Sequence, residues 1–311
     1  MALGNTIYLA GHSGLVGSAV ARLLAKESDA TLIFRTHDEL DLRDQAAVNR
    51  FFEEEKPEKV ILAAARVGGI LANKSYPADF LYDNLAISSN VIHAAYVNGV
   101  KKFLNLGSSC IYPRLADQPI REESLLTGEL EPTNQWYAVA KISAVKMIEA
   151  YREQYGFNGM TLMPTNLYGP GDNFDPESSH VIPALLRRFH EAMLSNAEKV
   201  TLWGSGTPLR EFMYVDDLAR AVAFFLDADV DHSLINVGWG KDLSIADLAK
   251  TVADVVGYEG LLEFDPSMPD GMPRKLLSNE RVSALGWEPT IPLGQGLKMT
   301  YEWFCKQQAD S

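Results

Sequence analysis

A strand, a glycine-rich turn and a helix follow one another at the start of the chain. Residues 6–10 form a short apolar, β-branched run, and residues 18–26 carry Ala, Leu and Val at helical spacing; between them lies the turn Gly11-His12-Ser13-Gly14-Leu15-Val16-Gly17. Glycines at this spacing let the backbone turn tightly and approach a pyrophosphate that rests on the helix N-terminus. The pattern predicts a dinucleotide-binding turn, and the alternative is an ordinary strand–helix turn.

Strands and helices continue to alternate along the first half of the chain. We predict strands at 31–34, 59–65, 102–106 and 161–164, and helices at 43–55, 84–98 and 138–151. This alternation is typical of an α/β protein with a doubly wound parallel sheet, the Rossmann architecture. In such sheets ligands bind beyond the carboxyl ends of the strands.

The composition changes after residue 165. A loop is predicted at 165–171, the stretch 170–180 is rich in Gly, Pro, Asp, Asn and Ser, and helices are predicted at 181–191, 244–256 and 293–306. A helix at 218–226 and a strand at 234–237 indicate a return to the first domain. We therefore expect a dinucleotide-binding domain formed by residues 1–165 with 212–240. A smaller, discontinuous substrate-binding domain would comprise 166–211 with 241–311.

The composition excludes several classes of partner. A net charge of −13 over 311 residues argues against a nucleic-acid or anionic-membrane surface. No apolar run approaches the length of a membrane span, and the N-terminus has no signal-peptide pattern. The two cysteines, Cys110 and Cys305, do not suggest a disulfide framework, so we expect a reducing, cytoplasmic environment. No metal site is predicted.

The end of the second strand bears on the cofactor. An NAD site usually places an acid there to bind the ribose 2′-hydroxyl, whereas this chain has Phe34 and Arg35. A cation without an acid favours a 2′-phosphate and hence NADPH over NADH, unless Arg35 is an ordinary surface residue. Asp41 would contact the adenine edge or cap the following helix.

Two short motifs carry the predicted chemistry. The fourth strand ends in Gly107-Ser108-Ser109-Cys110, and the next helix opens with Tyr137 and has Lys141 one turn later on the same face. A lysine ammonium and a cationic nicotinamide would lower the pKa of the phenol, which is ordinarily about 10. Tyr137, assisted by Ser108, would then supply the proton to a carbonyl oxygen that receives a hydride at carbon.

Cys110 and His180 are candidates for an acid–base pair. Cys110 lies two residues after Ser108, so strand alternation would direct both side chains toward the substrate. A thiolate there could remove a proton next to a ketone, although a free cysteine is more often a buried small hydrophobe. His180, in the loop that enters the second domain, would face Cys110 across a cleft, or be a surface imidazole.

Several charged residues are candidates for binding an anionic substrate. Arg187 and Arg210 could clamp a pyrophosphate, or form salt bridges within this acid-rich chain. Asp270, Arg274 and Lys275 in a late loop are weaker candidates.

Longer motifs resemble the GDP-L-fucose synthase family, within the extended short-chain dehydrogenase/reductases. They are Gly-Ser-Ser-Cys-Ile-Tyr-Pro at 107–113, Glu-Pro-Thr-Asn at 131–134, Pro-Thr-Asn-Leu-Tyr-Gly at 164–169, His-Val-Ile-Pro-Ala-Leu-Leu-Arg-Arg-Phe at 180–189 and Trp-Gly-Ser-Gly-Thr-Pro at 203–208. The resemblance runs from about residue 6 to 306. It implies a bifunctional enzyme that converts GDP-4-keto-6-deoxy-D-mannose to GDP-L-fucose with NADPH. It also implies a homodimer joined by the helices that carry 84–98 and 137–151.

The resemblance assigns roles to individual residues. Cys110 would be the base and His180 the acid in epimerisation at C3 and C5, and Ser108, Tyr137 and Lys141 would reduce C4. The nucleotide sugar would be bound by Asn166, Arg187, Trp203, Arg210, Asp270 and Lys275. The full set of cofactor residues would be Gly11, His12, Ser13, Gly14, Leu15, Val16, Gly17, Arg35, His37, Asp41, Leu42, Leu106, Gly107, Ser108, Tyr137, Lys141, Pro164, Asn166, Leu167 and His180.

The chain departs from the family pattern at two positions. Some members carry Arg where this chain has Ser13 and His37, and those arginines hold the 2′-phosphate. Two other hypotheses stay open: a related nucleotide-sugar epimerase or dehydratase with tightly held NAD, and a non-catalytic dinucleotide-binding protein.

Overall fold

The computed structural model describes residues 5–176, 178–268 and 270–309. The strands are β1 Thr6–Ala10, β2 Thr31–Ile33, β3 Lys59–Leu62, β4 Lys102–Leu106, β5 Gly159–Pro164, β6 Asn166–Tyr168, β7 Lys199–Trp203, β8 Leu209–Tyr214, β9 Leu234–Val237, β10 Asp242–Ser244, β11 Leu261–Asp265 and β12 Arg274–Lys275. The helices are α1 Leu15–Glu27, α2 Gln45–Glu55, α3 Ile70–Ser75, α4 Pro77–Val97, α5 Gln135–Tyr155, α6 Val181–Leu194, α7 Val215–Asp227, α8 Ile245–Val256, α9 Glu280–Ala284 and α10 Leu293–Ala309. None of these helices is long and apolar enough to cross a membrane.

A six-stranded parallel sheet in the order β2-β1-β3-β4-β5-β9 forms the first layer system. Its strands are almost wholly apolar because both faces are covered, by α1 and α7 on one side and by α2, α4 and α5 on the other. The chain leaves β1 first to one side and then crosses to the other, so a topological switch point lies between β1 and β3. The predicted doubly wound sheet is confirmed.

Smaller sheets form a second layer system. β8 pairs with β6, β10 and β12, β7 pairs with β11, and helices α6, α8 and α10 pack around the core of Leu186, Phe189 and Leu248. Helix α7 and strand β9 return to the six-stranded sheet. Position 211/212, where the sequence analysis divided the chain, falls inside β8.

Some predicted bounds are wrong for identifiable reasons. β3 ends at Leu62, opposite Asn105 in the last rung of the ladder to β4, and not at 65. Helix α4 begins at Pro77, which suits the first turn of a helix, and not at 84. The predicted loop 165–171 contains β6, whose hydrogen bonds run to β8 more than forty residues away, so no local pattern signals it.

Candidate active site

The turn after β1 is shaped by close backbone contacts. Gly11 has a φ of +86°, and a Cβ there would lie 2.6 Å from the backbone nitrogen of Ala64. A Cβ on Gly17 would lie 1.9 Å from the carbonyl oxygen of Gly11. A Cβ on Gly14 would meet nothing nearer than 3.7 Å. Two glycines are thus required by the fold, whereas Gly14 leaves open space at the start of α1.

That open space fits a dinucleotide pyrophosphate. No described side chain caps the N-terminus of α1 at Gly14, and its first turn holds no acid, so the free amides and the helix dipole attract an anion. The ring of His12 stacks on Phe34, with centroids 4.9 Å apart, and its buried Nδ1 has no hydrogen-bond partner among the described residues. A buried polar atom of this kind is expected to meet a ligand group.

The end of β2 differs from the sequence expectation. Arg35 forms an ion pair with Glu55, donates to the carbonyl oxygen of Phe34 at 2.7 Å and lies over the ring of Phe51. Its guanidinium is therefore engaged within the fold and is neither a free surface group nor a free partner for a phosphate.

The acidic residue Asp41 is held by a neighbour. Arg43 pairs with it at 2.8 Å and lowers the pKa of the carboxyl to about 2. The suggestion that Asp41 caps α2 is wrong, because the carboxylate of Asp44 accepts from the Ala47 amide in that role. His37 remains exposed, 4.0 Å from Asp41.

Ser108, Cys110 and Tyr137 come together at the carboxyl end of β4. The strand ends at Leu106 and residues Ser109–Ile111 form a 3₁₀ turn, so strand alternation, on which the orientation of Cys110 was predicted, does not apply. The side chains of Ser108 and Cys110 nevertheless meet. The Ser108 hydroxyl is a hydrogen-bond partner of both the Cys110 thiol and the Tyr137 phenol, and it opposes the rise in pKa that burial causes in each.

Burial dominates the protonation of this group. It raises the pKa of the Tyr137 phenol above its ordinary value, so the predicted lowering by Lys141 is not seen. It also lowers the pKa of Lys141 to about 8. The Lys141 ammonium donates to the Leu106 carbonyl oxygen at 3.0 Å and lies 5.8 Å from the centre of the Tyr137 ring. Lys141 therefore ties α5 to the end of β4 and carries a readily lost proton.

A small cavity lies beside Cys110. Its lining includes Cys110, Glu131, Asn134, Met272 and Lys275. Burial raises the pKa of the thiol, and the Lys275 ammonium is the largest influence that opposes this rise. Burial in turn lowers the pKa of Lys275, and Cys110 opposes that lowering, so each group favours the charged form of the other.

Sequence reasoning gave Asn134 no role. Its Oδ1 atom is buried and has no hydrogen-bond partner among the described residues, and the side chain lines the cavity. The available signal was its place in the Glu-Pro-Thr-Asn motif three residues before Tyr137.

His180 occupies the N-cap position of α6. Its Nδ1 atom lies 4.0 Å from Oδ1 of Asp172, whose side chain is 4% exposed, whereas the imidazole is 60% exposed. Asp172 raises the pKa of His180 above its ordinary value. His180 is not among the residues lining the Cys110 cavity, and its place across a cleft from Cys110 stays a prediction.

The candidate substrate residues are already engaged to different degrees. Asn166 donates to the Glu211 carbonyl oxygen at 2.8 Å, and Arg187 pairs with Glu191 at 2.7 Å. Arg210 and Lys275 lie opposite each other on the paired strands β8 and β12.

Two further candidates lie on neighbouring turns of the second layer system. Asp270 accepts hydrogen bonds from the amide and hydroxyl of Ser205, at 2.6 and 2.8 Å. Trp203, at the end of β7, is 68% exposed and accessible to a ligand.

The remaining cofactor candidates are apolar or glycine. Leu42 packs in the core between the sheet and α2, so contact through its side chain is not supported. Leu106 and Pro164 are the last residues of β4 and β5, Gly107 follows β4, and Leu167 lies on β6. Leu106, Gly107 and Pro164 are thus at the carboxyl edge of the six-stranded sheet, the edge at which folds of this type bind dinucleotides, whereas Leu167 lies on a strand that pairs with β8.

Comparisons with known proteins agree with this geometry. The model of the NAD dependent epimerase/dehydratase family matches residues 7–238. GDP-L-fucose synthase 1 of Arabidopsis thaliana is 56% identical over 300 residues, covering 96% of this chain and 93% of that protein. GDP-L-fucose synthase of Escherichia coli K12 is 54% identical over 311 residues, covering 97% of each. Among solved structures, a GDP-L-fucose synthetase from Naegleria fowleri bound to NADP is 30% identical, with a TM-score of 0.90 and coverage of 99% and 96%.

Proposed function

Because the chain belongs to the NAD dependent epimerase/dehydratase family and to its GDP-L-fucose synthases, we propose that it converts GDP-4-keto-6-deoxy-D-mannose to GDP-L-fucose. The enzyme is a bifunctional 3,5-epimerase and NADPH-dependent 4-ketoreductase. One observation carries this proposal. Ser108, Cys110, Tyr137 and Lys141 converge beyond the carboxyl end of β4, where a carbonyl reductase and a carbon acid–base site would share one substrate.

Reduction at C4 uses the phenol and the hydroxyl. When bound, the nicotinamide cofactor supplies a hydride to C4. Tyr137 gives its proton to the C4 oxygen, and Ser108 holds that oxygen in place. Lys141 is buried with a pKa of about 8, so it can return a proton toward the phenolate near neutral pH.

Epimerisation precedes reduction, since the ketone at C4 makes the protons on C3 and C5 acidic. The Cys110 thiolate removes each proton, and His180 returns a proton to the opposite face of the sugar. Lys275 favours the Cys110 thiolate.

The GDP group binds in the second layer system. Arg210 has its pKa lowered by burial, and a nearby pyrophosphate would offset that cost. Trp203 offers an exposed ring for a base or sugar to contact. We accordingly propose the functional division in which residues 1–165 with 212–240 bind the dinucleotide and 166–211 with 241–311 bind the nucleotide sugar.

NADPH is proposed as the cofactor over NADH. The N-terminus of α1 and the unpartnered His12 support a dinucleotide, and NADP occupies the related structure from Naegleria fowleri. After β2, Glu39 accepts from Thr36 and Asp41 pairs with Arg43, whereas Asp38 is exposed. We propose that Ser13 and His37, which stay exposed, lie nearest the 2′-phosphate.

A homodimer and a cytoplasmic location are also proposed. Helices α4 and α5 pack together and leave Tyr82, Trp136 and Val139 exposed, an apolar surface suited to a second copy of the chain. Cys110 and Cys305 are free thiols, which fits a reducing compartment.

The proposed function is tested by isotope exchange in heavy water. Purified protein is incubated with GDP-4-keto-6-deoxy-D-mannose and either NADPH or NADH, and absorbance at 340 nm and deuterium at C3 and C5 are followed. We expect NADPH consumption with deuterium at both carbons. Cys110→Ser should abolish exchange, Tyr137→Phe should lose reduction and keep exchange, and Cys305→Ser should behave as the wild type.

Other results would favour other functions. Reduction without exchange would leave a simple ketoreductase, with Cys110 and His180 structural. Purification with stoichiometric tightly held NAD would favour a nucleotide-sugar epimerase or dehydratase. If neither exchange nor reduction occurs with this substrate, the proposed function is wrong.

A further inference from the structure

The loop between β6 and α6 contains a buried carboxylate that the proposed mechanism does not explain by itself. Asp172 is 4% exposed, yet it lies in a loop of polar residues next to the largely exposed His180. Its Oδ1 accepts the Asn173 amide at 2.8 Å, while its Oδ2 is buried and has no hydrogen-bond partner among the described residues. A buried carboxylate is costly unless a cation or donor faces it.

We infer that Asp172 is the positioning residue of His180: its carboxylate holds the imidazole through Nδ1, so that Nε2 is the atom that delivers a proton. The separation of 4.0 Å between Nδ1 and Oδ1 allows this pairing after a small rotation of the ring. A carboxylate on one ring nitrogen sets the tautomer and orientation of the other. The inference rests on the acid role proposed for His180.

The backbone around Asp172 is built to keep the carboxylate in place. Gly171 has a φ of +88°, and a Cβ there would approach the Ser18 hydroxyl to 3.2 Å, so the loop passes close to α1. The Asp172 amide donates to the Gly169 carbonyl oxygen at 3.2 Å, which closes a turn. This turn fixes the backbone of Asp172 and so limits where its carboxylate can lie.

The far side of the loop is anchored on two helices. The Phe174 ring stacks on Phe304 of α10, with centroids 4.7 Å apart, and the Phe174 carbonyl oxygen accepts from Arg187 of α6 at 3.1 Å. These contacts fix the loop relative to α6, whose N-cap is His180. Asp172 and His180 are therefore both held in place relative to α6.

The electrostatics of the pair favour the imidazolium. The positive end of the α6 dipole opposes a charge on His180, and Arg187 lies seven residues along the helix, about 10 Å away, paired with Glu191. Asp172 outweighs the opposing effect of burial and raises the pKa of His180 above its ordinary value. Among the described residues, Asp172 is the charged group that acts on the imidazole.

The pairing is tested by NMR titration of the His180 imidazole in the folded protein, with His180→Asn used for assignment. We expect the wild-type imidazole to titrate above the ordinary value of about 6.5. Asp172→Asn, which keeps the size and one acceptor oxygen of the side chain, should lower that pKa by about one unit. Asp175→Asn in the same loop is the matched control and should leave the pKa of His180 unchanged.

A second measurement separates this inference from the proposed function. The rate of deuterium entry at C3 and C5 is measured as a function of pH without NADPH. In Asp172→Asn, the pH at which this rate falls on the alkaline side should be lower by the same amount, about one unit. If the wild-type imidazole titrates at or below about 6.5, or if Asp172→Asn leaves it unmoved, the inference is wrong. If the titration shifts while the exchange profile does not, Asp172 holds His180 and the acid role proposed for His180 is wrong.

Discussion

Gly17→Ala tests whether the fold itself requires the last glycine of the turn. The added Cβ would lie 1.9 Å from the Gly11 carbonyl oxygen and 2.7 Å from its carbon, both backbone atoms. Ordinary contacts begin at 3.4 Å, so the turn and α1 must separate by 3.4 − 1.9 = 1.5 Å. Overpacking of this kind costs about 1–3 kcal/mol. Because both atoms are backbone and cannot give way as a side chain could, the cost lies in the upper part of that range, about 2–3 kcal/mol. Alanine recovers up to about 1 kcal/mol of helix propensity, which leaves a net loss of about 1–2 kcal/mol.

The assay is thermal unfolding followed by calorimetry or circular dichroism. An unfolding entropy of about 2.1 cal/mol/K per residue gives about 0.65 kcal/mol/K for a chain of this length, so Tm should fall by about 1.5–3 °C. Binding of NADPH should weaken as well, because the same separation displaces the amides of the turn.

Gly14→Ala is the matched control. Gly14 has extended φ and ψ values of −76° and 171°, which alanine adopts freely, and its Cβ would have no contact shorter than 3.7 Å. The variant should have the same Tm as the wild type. It should bind NADPH about tenfold more weakly, or about 1.4 kcal/mol, because the methyl group enters the space above the helix N-terminus.

Two results would refute this reasoning. Equal Tm values for Gly17→Ala and the wild type would show that the contact with Gly11 relaxes without cost. Unchanged NADPH affinity in Gly14→Ala, measured by fluorescence titration, would show that the pyrophosphate does not approach this position.

Three further predictions concern buried charges. Burial lowers the pKa of Lys141 to about 8, so the folded state holds fewer protons than the unfolded state between pH 8 and about 10.5. The unfolding free energy of the wild type should therefore rise with pH across this window by up to about 3 kcal/mol relative to Lys141→Met; parallel denaturation profiles would contradict this. Glu211 is fully buried and accepts hydrogen bonds from two backbone amides, at 2.6 and 3.1 Å. Glu211→Gln should therefore lower the unfolding free energy by about 2–4 kcal/mol in urea denaturation. Glu263→Gln, at an exposed position, should change it little. Lys275→Met removes the group that opposes the rise in the pKa of the Cys110 thiol. At pH 8 the rate of Cys110 alkylation should therefore fall about tenfold for each unit by which that pKa increases. An unchanged rate would show that Lys275 does not act on the thiol.

Local patterns account for the residues that the sequence analysis placed well. A glycine turn between an apolar strand and a helix has few structural outcomes, so the strand–turn–helix at residues 6–27 was predictable from the glycine spacing and its flanking elements. Tyr137 and Lys141 lie four residues apart on one helix, and a helix places such residues on one face whatever surrounds it. The fold class followed from the alternation of strands and helices, which leaves a doubly wound sheet as the natural arrangement.

Partners that are distant in sequence were not predictable in the same way. Arg35 pairs with Glu55 and Asp172 approaches His180 because separate segments meet in the folded chain. The pKa of Tyr137 was misjudged because burial, which depends on the whole surrounding structure, raises it, and the group that opposes this rise is Ser108 and not the lysine one turn away.

The amino-acid sequence by itself determined the sheet, the glycine turn and the set of candidate catalytic side chains, since these depend on hydrophobic period, glycine placement and short-range spacing. Tertiary structure alone decided which of those side chains are buried, which cations face them and which are already paired. The physical reason is that pKa values and ion pairs depend on desolvation and on distances through space, and neither is encoded in the separation of residues along the chain.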